Sequence, residues 1–143
     1  MKSLVVDQLG SLDDLHVQEL PSPVLGDGQV RIAVAACGLN FVDSLLVEGR
    51  YQVKPPVPFV PGSEITGRIV ETGPGVDASL VGRRVFAPVG AGGFADEVIT
   101  AANRILPIPD QLSDGQGATF MQSYLTAWFA FTRRTQVQAG RTM

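Results

Sequence analysis

The chain has almost none of the residues that build metal and redox sites: its 143 residues include one cysteine, Cys37, and one histidine, His16. A single thiol cannot close an internal disulfide, and one thiol with one imidazole falls short of the soft ligands that zinc takes. Basic blocks are absent too. Eleven Lys and Arg are interspersed with fourteen Asp and Glu for a net charge of −3, which lacks the electrostatic footprint of a nucleic-acid binder. No uninterrupted apolar run is long enough to cross a bilayer, and Leu4-Val5-Val6 is cut by Asp7 before it could form the core of a signal peptide. The composition predicts a soluble, cytoplasmic protein with neither nucleic acid nor membrane as a partner.

What the chain does have is turns and short apolar runs. Sixteen glycines and ten prolines are scattered through a sequence that is 45% hydrophobic, enough for one domain with its own core and weighted towards strands. Lys2–Asp7 and Leu15–Leu20 read as strands around a Gly10–Asp14 turn, and Gln29–Ala36 carries Val30, Ile32 and Val34 at period two. Asn40–Val47 changes to helical spacing, closed by Glu48-Gly49-Arg50. Lys54–Pro61 holds four prolines, whose fixed φ and missing donors force an extended connection over a surface or along a cleft. Ile65–Glu71, Arg84–Ala87, Phe94–Thr100 and Arg104–Pro107 follow as strands, a spacing that suggests a barrel or sandwich. Ser113 and Gln116 form a capping box before Ala118, Met121, Leu125, Trp128 and Thr132, which predicts a helix to about Gln136, broken near Gln122-Ser123. Arg133 and Arg134 sit near its negative end, and 138–141 reads as a turn.

Five ordered stretches carry a resemblance: Ala36-Cys37-Gly38-Leu39-Asn40-Phe41-Val42-Asp43, Gly49-Arg50-Tyr51, Pro58-Phe59-Val60-Pro61-Gly62-Ser63-Glu64, Gly73-Pro74-Gly75-Val76 and Tyr124-Leu125-Thr126-Ala127. The set resembles the zinc-free quinone oxidoreductase branch of the medium-chain dehydrogenase/reductase superfamily. The resemblance implies a mainly β fold with some α: a GroES-like, partly open β-barrel over 1–112, then a connecting helix over 113–143. A Rossmann domain would follow directly after Thr142-Met143 and is absent from this chain, so the chain is expected to stop at a domain seam. Zinc alcohol dehydrogenases resemble the chain over the same stretch, but where they place a cysteine ligand it has Asn40, and their Gly-His-Glu reads Gly62-Ser63-Glu64. An amide and a hydroxyl do not replace thiolate and imidazole, so no metal site is expected.

The resemblance implies a reductase in which NADPH, bound mostly by the absent domain, delivers hydride to a quinone or enone, in a homodimer when full length. The 143 residues alone would be inactive. Asn40, Asp43 and Tyr51 are its implied catalytic residues: Asn40 to hold a ribose hydroxyl and the substrate, Asp43 to orient neighbouring groups, Tyr51 to donate to the substrate oxygen. Asn40, Phe41 and Thr126 are its implied cofactor contacts, with Phe41 and Thr126 on one pocket. Many relatives carry a second tyrosine where this chain has Leu45. The residues by themselves leave plainer readings open: Asn40 and Asp43 as helix caps, Tyr51 as packing, Thr126 as a back-bonding helix threonine, Cys37 as a buried small residue, and Glu64 as structural support. Gly73-Pro74-Gly75-Val76-Asp77-Ala78 imitates a dinucleotide fingerprint, but neither it nor Gly90-Ala91-Gly92-Gly93 leads into an amphipathic helix, so both read as turns. An enoyl reductase and a non-catalytic GroES-like binding or scaffold module are the alternatives.

Overall fold

The structure, a computed structural model, describes residues 1–135 and Gly140; the end of the last predicted helix and the rest of the 138–141 turn lie outside the described residues. Strands β1 (Lys2–Val5) and β2 (His16–Glu19) form an antiparallel hairpin, with Leu4 opposite Val17. The connection between them holds a 3₁₀ turn at Leu12–Asp14, started by the Ser11 hydroxyl, which accepts from the Asp13 N–H at 3.1 Å. Five further strands, β3 (Gln29–Cys37), β4 (Glu64–Thr72), β5 (Arg84–Pro88), β6 (Glu97–Ala101) and β7 (Leu106–Pro107), make one sheet in the order β6-β3-β4-β5-β7. Every pairing among the described residues is antiparallel, so no Rossmann-type parallel sheet is present there.

The sheet is open, its edges β6 and β7 unpaired with each other. Period two in β3 buries Val30 and Ile32 on one face, where they meet Ile65, Ile69, Val85, Ala87 and Val98. Register irregularities between Arg31 and Ile32 and between Val34 and Ala36 bend this long strand. The hairpin lies across the sheet's end: Leu4 N–H donates to the Phe94 carbonyl at 2.8 Å, and Val6 and Phe59 exchange backbone bonds of 2.9 and 3.1 Å. That exchange pins the proline-rich segment, and Pro61 at its end is fully buried. Four strands are shorter than the sequence predicts: β1 ends at Val5 and β2 loses one residue at each end, and β6 and β7 both start later. Phe94 and Ala95 turn aside to meet β1, leaving β6 to begin at Glu97, and Arg104 sits in a 3₁₀ turn before β7.

Helix α1 (Phe41–Val47) follows β3 after a short bend, and Gly49 (φ +67°) ends it. The final helical segment is two helices. α2 (Asp114–Ala118) starts on the predicted capping box: Gln116 N–H donates to Ser113 Oγ at 3.2 Å and Ser113 N–H to Gln116 Oε1 at 2.9 Å. α3 (Phe120–Phe129) follows and widens into a π turn at Ala130–Arg134. The break falls at Thr119 (φ −111°, ψ 3°), not near Gln122-Ser123 as the sequence predicts. α2 is anchored to the sheet, where Thr66 Oγ1 donates to the Asp114 carbonyl at 2.8 Å and Gly117 and Ala118 are buried. α3 instead leaves the sheet with no buried residue of its own.

The α2 anchor depends on a close approach at Gly38, just past β3. A Cβ at this position would collide with the Ala118 carbonyl oxygen and lie 3.0 Å from the Glu64 side chain. Gly38→Ala is therefore expected to destabilise by about 1–3 kcal/mol through forced backbone movement, lowering Tm by at least about 3 °C. An unchanged melting curve would show that the helix pair is not seated this tightly.

Candidate active site

β3, α1 and the Pro61–Glu64 turn converge at one end of the barrel. Asn40 is the N-cap of α1, and its backbone N–H donates to Asp43 Oδ2 at 2.8 Å, the reciprocal half of a capping box. The other oxygen, Asp43 Oδ1, accepts from the Gly62 N–H at 3.3 Å. Asp43 is 3% exposed; burial pushes its carboxyl above the ordinary value, and the N–H groups of Asn40 and Gly62 pull it back. It thus fastens the start of α1 to the turn that carries Ser63 and Glu64.

The nitrogen of the Asn40 amide points away from α1. Nδ2 donates to Glu64 Oε1 at 3.1 Å, and Glu64 Oε2 accepts from the Gln122 N–H of α3 at 3.0 Å. Ser63 Oγ donates to Gln122 Oε1 at 2.9 Å. Both positions at which the zinc alcohol dehydrogenases have ligands are therefore occupied by groups engaged in hydrogen bonds. Among the described residues no three His, Cys, Asp or Glu side chains cluster as ligands to a metal would.

Two cavities flank this network. The larger, about 580 Å³, is walled by Leu4, Leu12 and Leu15 of the hairpin region, Phe94 and Phe41, with Asn40, Asp43 and Ser44 at its polar end. The smaller, about 340 Å³, lies on the other side of Glu64 and includes Ser63, Gln122, Leu125 and Thr126. The structure thus brings Asn40, Asp43 and Phe41 to one cavity and sets Thr126 on the second, which Glu64 also lines. Phe41 and Thr126 do not share a pocket, because α1 and α3 approach Glu64 from different sides. Tyr51, half-buried after α1, lines neither cavity. Two features escape the sequence. The hairpin leucines that wall the larger cavity carry no motif, and Gln122 meets Glu64 across 58 residues; the reading of Glu64 as structural support agrees with its bonds to Asn40 and Gln122.

An open antiparallel sheet with a hairpin across its end and polar side chains gathered at the strand-to-helix junction defines a GroES-like barrel. Residues 26–110 match the alcohol dehydrogenase GroES-like domain. The chain is 42% identical over 120 residues to quinone oxidoreductase-like protein 2 homolog from Nematostella vectensis, covering 83% of this chain and 33% of that protein. It is 42% identical over 141 residues to a polyketide synthase from Streptomyces halstedii, covering 96% of this chain and 2% of that one. The solved structure of the quinone oxidoreductase from Thermus thermophilus, studied also as its complex with NADPH, superposes with a TM-score of 0.81 at 37% identity over 93% of this chain and 41% of its own. The chain belongs to the alcohol dehydrogenase GroES-like domain family, among the quinone oxidoreductase-like members of the medium-chain dehydrogenase/reductase superfamily. It spans about a third of the length of the quinone oxidoreductase-like relative. No helix among the described residues is long and apolar enough to cross a membrane.

Proposed function

We propose that this chain forms the substrate-side part of an NADPH-dependent reductase that transfers hydride to a quinone without zinc. The observation that carries the reading is the hydrogen-bonded Asn40–Glu64–Gln122–Ser63 chain, which stands where zinc relatives place metal ligands and opens onto a largely apolar cavity. The donor set suits the nicotinamide end of the cofactor. An amide at Asn40 and a hydroxyl at Thr126 can bond a ribose hydroxyl and a carboxamide, and the NADPH complex of the Thermus relative supports the choice. Bound there, the reduced nicotinamide supplies the hydride.

The residues of this chain do the rest. Leu4, Leu12, Leu15 and Phe94 exclude water and accept a flat apolar ring. Asp43 keeps α1 in place so that Asn40 faces the cleft, and Phe41, 80% exposed, offers an aromatic wall at its rim. Negative charge on a reduced quinone spreads over the ring, so hydrogen-bond donors at the cleft suffice where a carbonyl substrate would call for a metal; Tyr51, which lines neither cavity, is not among them. A second reading, reduction of an activated alkene, draws on the same donors and on the match of a polyketide synthase to this domain.

A form of the protein that turns over is expected to oxidise NADPH with quinones in preference to enones, and the reverse order would select the second reading. The 143 residues alone have no glycine turn leading into a helix N-terminus among the described residues, the feature that holds a dinucleotide's phosphates. They are expected to bind NADPH no more tightly than about millimolar. Micromolar, saturable heat in a calorimetric titration would overturn that division of labour.

A further inference from the structure

Glu64 is the first residue of β4 and only 4% exposed, yet its two partners lie on helices that come from opposite ends of the sequence. A carboxylate has only acceptor oxygens. The nitrogen of the Asn40 amide must therefore be the end that faces Glu64, which puts Oδ1 on the side of the Asp43 N–H in the α1 capping box, with a second lone pair left for the cleft. Gln122 is the third residue of α3, whose own N-cap, Thr119, makes no side-chain cap; Glu64 supplies the missing acceptor from a neighbouring strand. Ser63 holds the side chain of the same glutamine, and Thr126, one turn further along α3, lines the cavity that Glu64 and Gln122 share.

We propose that Glu64 is a positioning residue that sets both sides of the nicotinamide site. It turns the Asn40 carbonyl oxygen towards the cleft as an acceptor for a cofactor hydroxyl, and by capping α3 it fixes Thr126. This rests on the cofactor role of Asn40 and Thr126 proposed above. It also changes that role: Asn40 receives a hydrogen bond from the cofactor and does not act as the donor that meets charge on the substrate.

Glutamine at position 64 tests the idea, because it has one accepting and one donating end. With its oxygen on the Gln122 N–H, its NH₂ faces Asn40, which must turn its own oxygen inwards and present NH₂ to the cleft. In a form of the protein that turns over, Glu64→Gln should raise the KM for NADPH by a few-fold to about tenfold, the scale of one neutral hydrogen bond, with a smaller change in kcat. Asn40→Asp alone sets two carboxylates together and should also impair binding. The double variant Asn40→Asp/Glu64→Gln reverses the bond. The introduced glutamine donates its NH₂ to the introduced aspartate, the wild-type charge is kept, aspartate caps α1 well, and an oxygen again faces the cleft. Its KM should return to within a few-fold of wild type.

The clamp can be read without cofactor in the 143-residue chain, where Glu64→Ala should speed hydrogen exchange at the Gln122 amide by about tenfold or more. Unchanged Gln122 exchange overturns the clamp. With the clamp intact, a double variant no better than Glu64→Gln overturns the positioning role. The cofactor role itself fails separately, if Asn40→Ala leaves turnover at the wild-type level.

Discussion

Asn40→Ala is expected to lower kcat/KM by roughly tenfold to a thousandfold in a form of the protein that turns over, the range expected when one oriented hydrogen-bonding group leaves an active site. Two losses combine. The cleft loses the amide at its polar end, and the buried Glu64 Oε1 loses the Asn40 partner, bonded at 3.1 Å, and must find water or shift. That second loss also costs stability, about 1–3 kcal/mol for a buried polar group left unmatched. The two are separable: kinetics measured at a temperature where circular dichroism finds wild type and variant equally folded report only the site. Wild-type kinetics in a folded Asn40→Ala protein would remove Asn40 from the machinery.

The contrast between Asn40 and Glu64 marks how far the sequence reads. Local periodicity carries strand β3, whose Val30 and Ile32 reach the core as their spacing predicts, and the Ser113–Gln116 capping box, which forms with both of its bonds. Asn40 and Asp43 are legible twice over, as cap residues and by resemblance, and the structure makes the two roles compatible: Asp43 performs the capping with its carboxylate while the Asn40 amide is directed to Glu64. The break at Thr119 is not legible, because it is set by contacts and not by propensity. Gly38 receives the Ala118 carbonyl, and Glu64 takes the N–H of Gln122, both across long stretches of sequence. The apolar spacing of Met121, Leu125 and Trp128 reads as a helix that loses part of its packing at the seam, and Leu125 and Trp128 are indeed exposed on an α3 with no buried residue of its own.

Cys37 should be about a thousandfold slower to react with a thiol reagent at pH 8 in the folded chain than in the unfolded one, since each unit of pKa is a factor of ten in thiolate. Its sulfur lies at the end of β3 in a slot that exists only because the facing residues are glycines: a Cβ at Gly62 or Gly93 would lie 2.8 or 2.7 Å from Sγ. Burial, and then the nearby negative charges of Asp43 and Glu64, push the thiol from an ordinary 9.0 up to about 12, against a smaller opposing pull from the Glu64 N–H. Only the thiolate attacks, so a rise of this size removes about three powers of ten from the reactive fraction. The linkage has a definite sign. The folded pKa lies above the unfolded one, so the contribution to stability is complete below about pH 9 and is lost as pH rises towards 12, where the folded state still holds a proton that the unfolded state has released. Wild type should therefore lose stability relative to Cys37→Ser across that window, a comparison that cancels the other groups titrating there. A reaction rate that levels off near pH 9, or parallel stability curves for the two proteins, would mean that burial and the neighbouring carboxylates do not raise the thiol as this geometry requires.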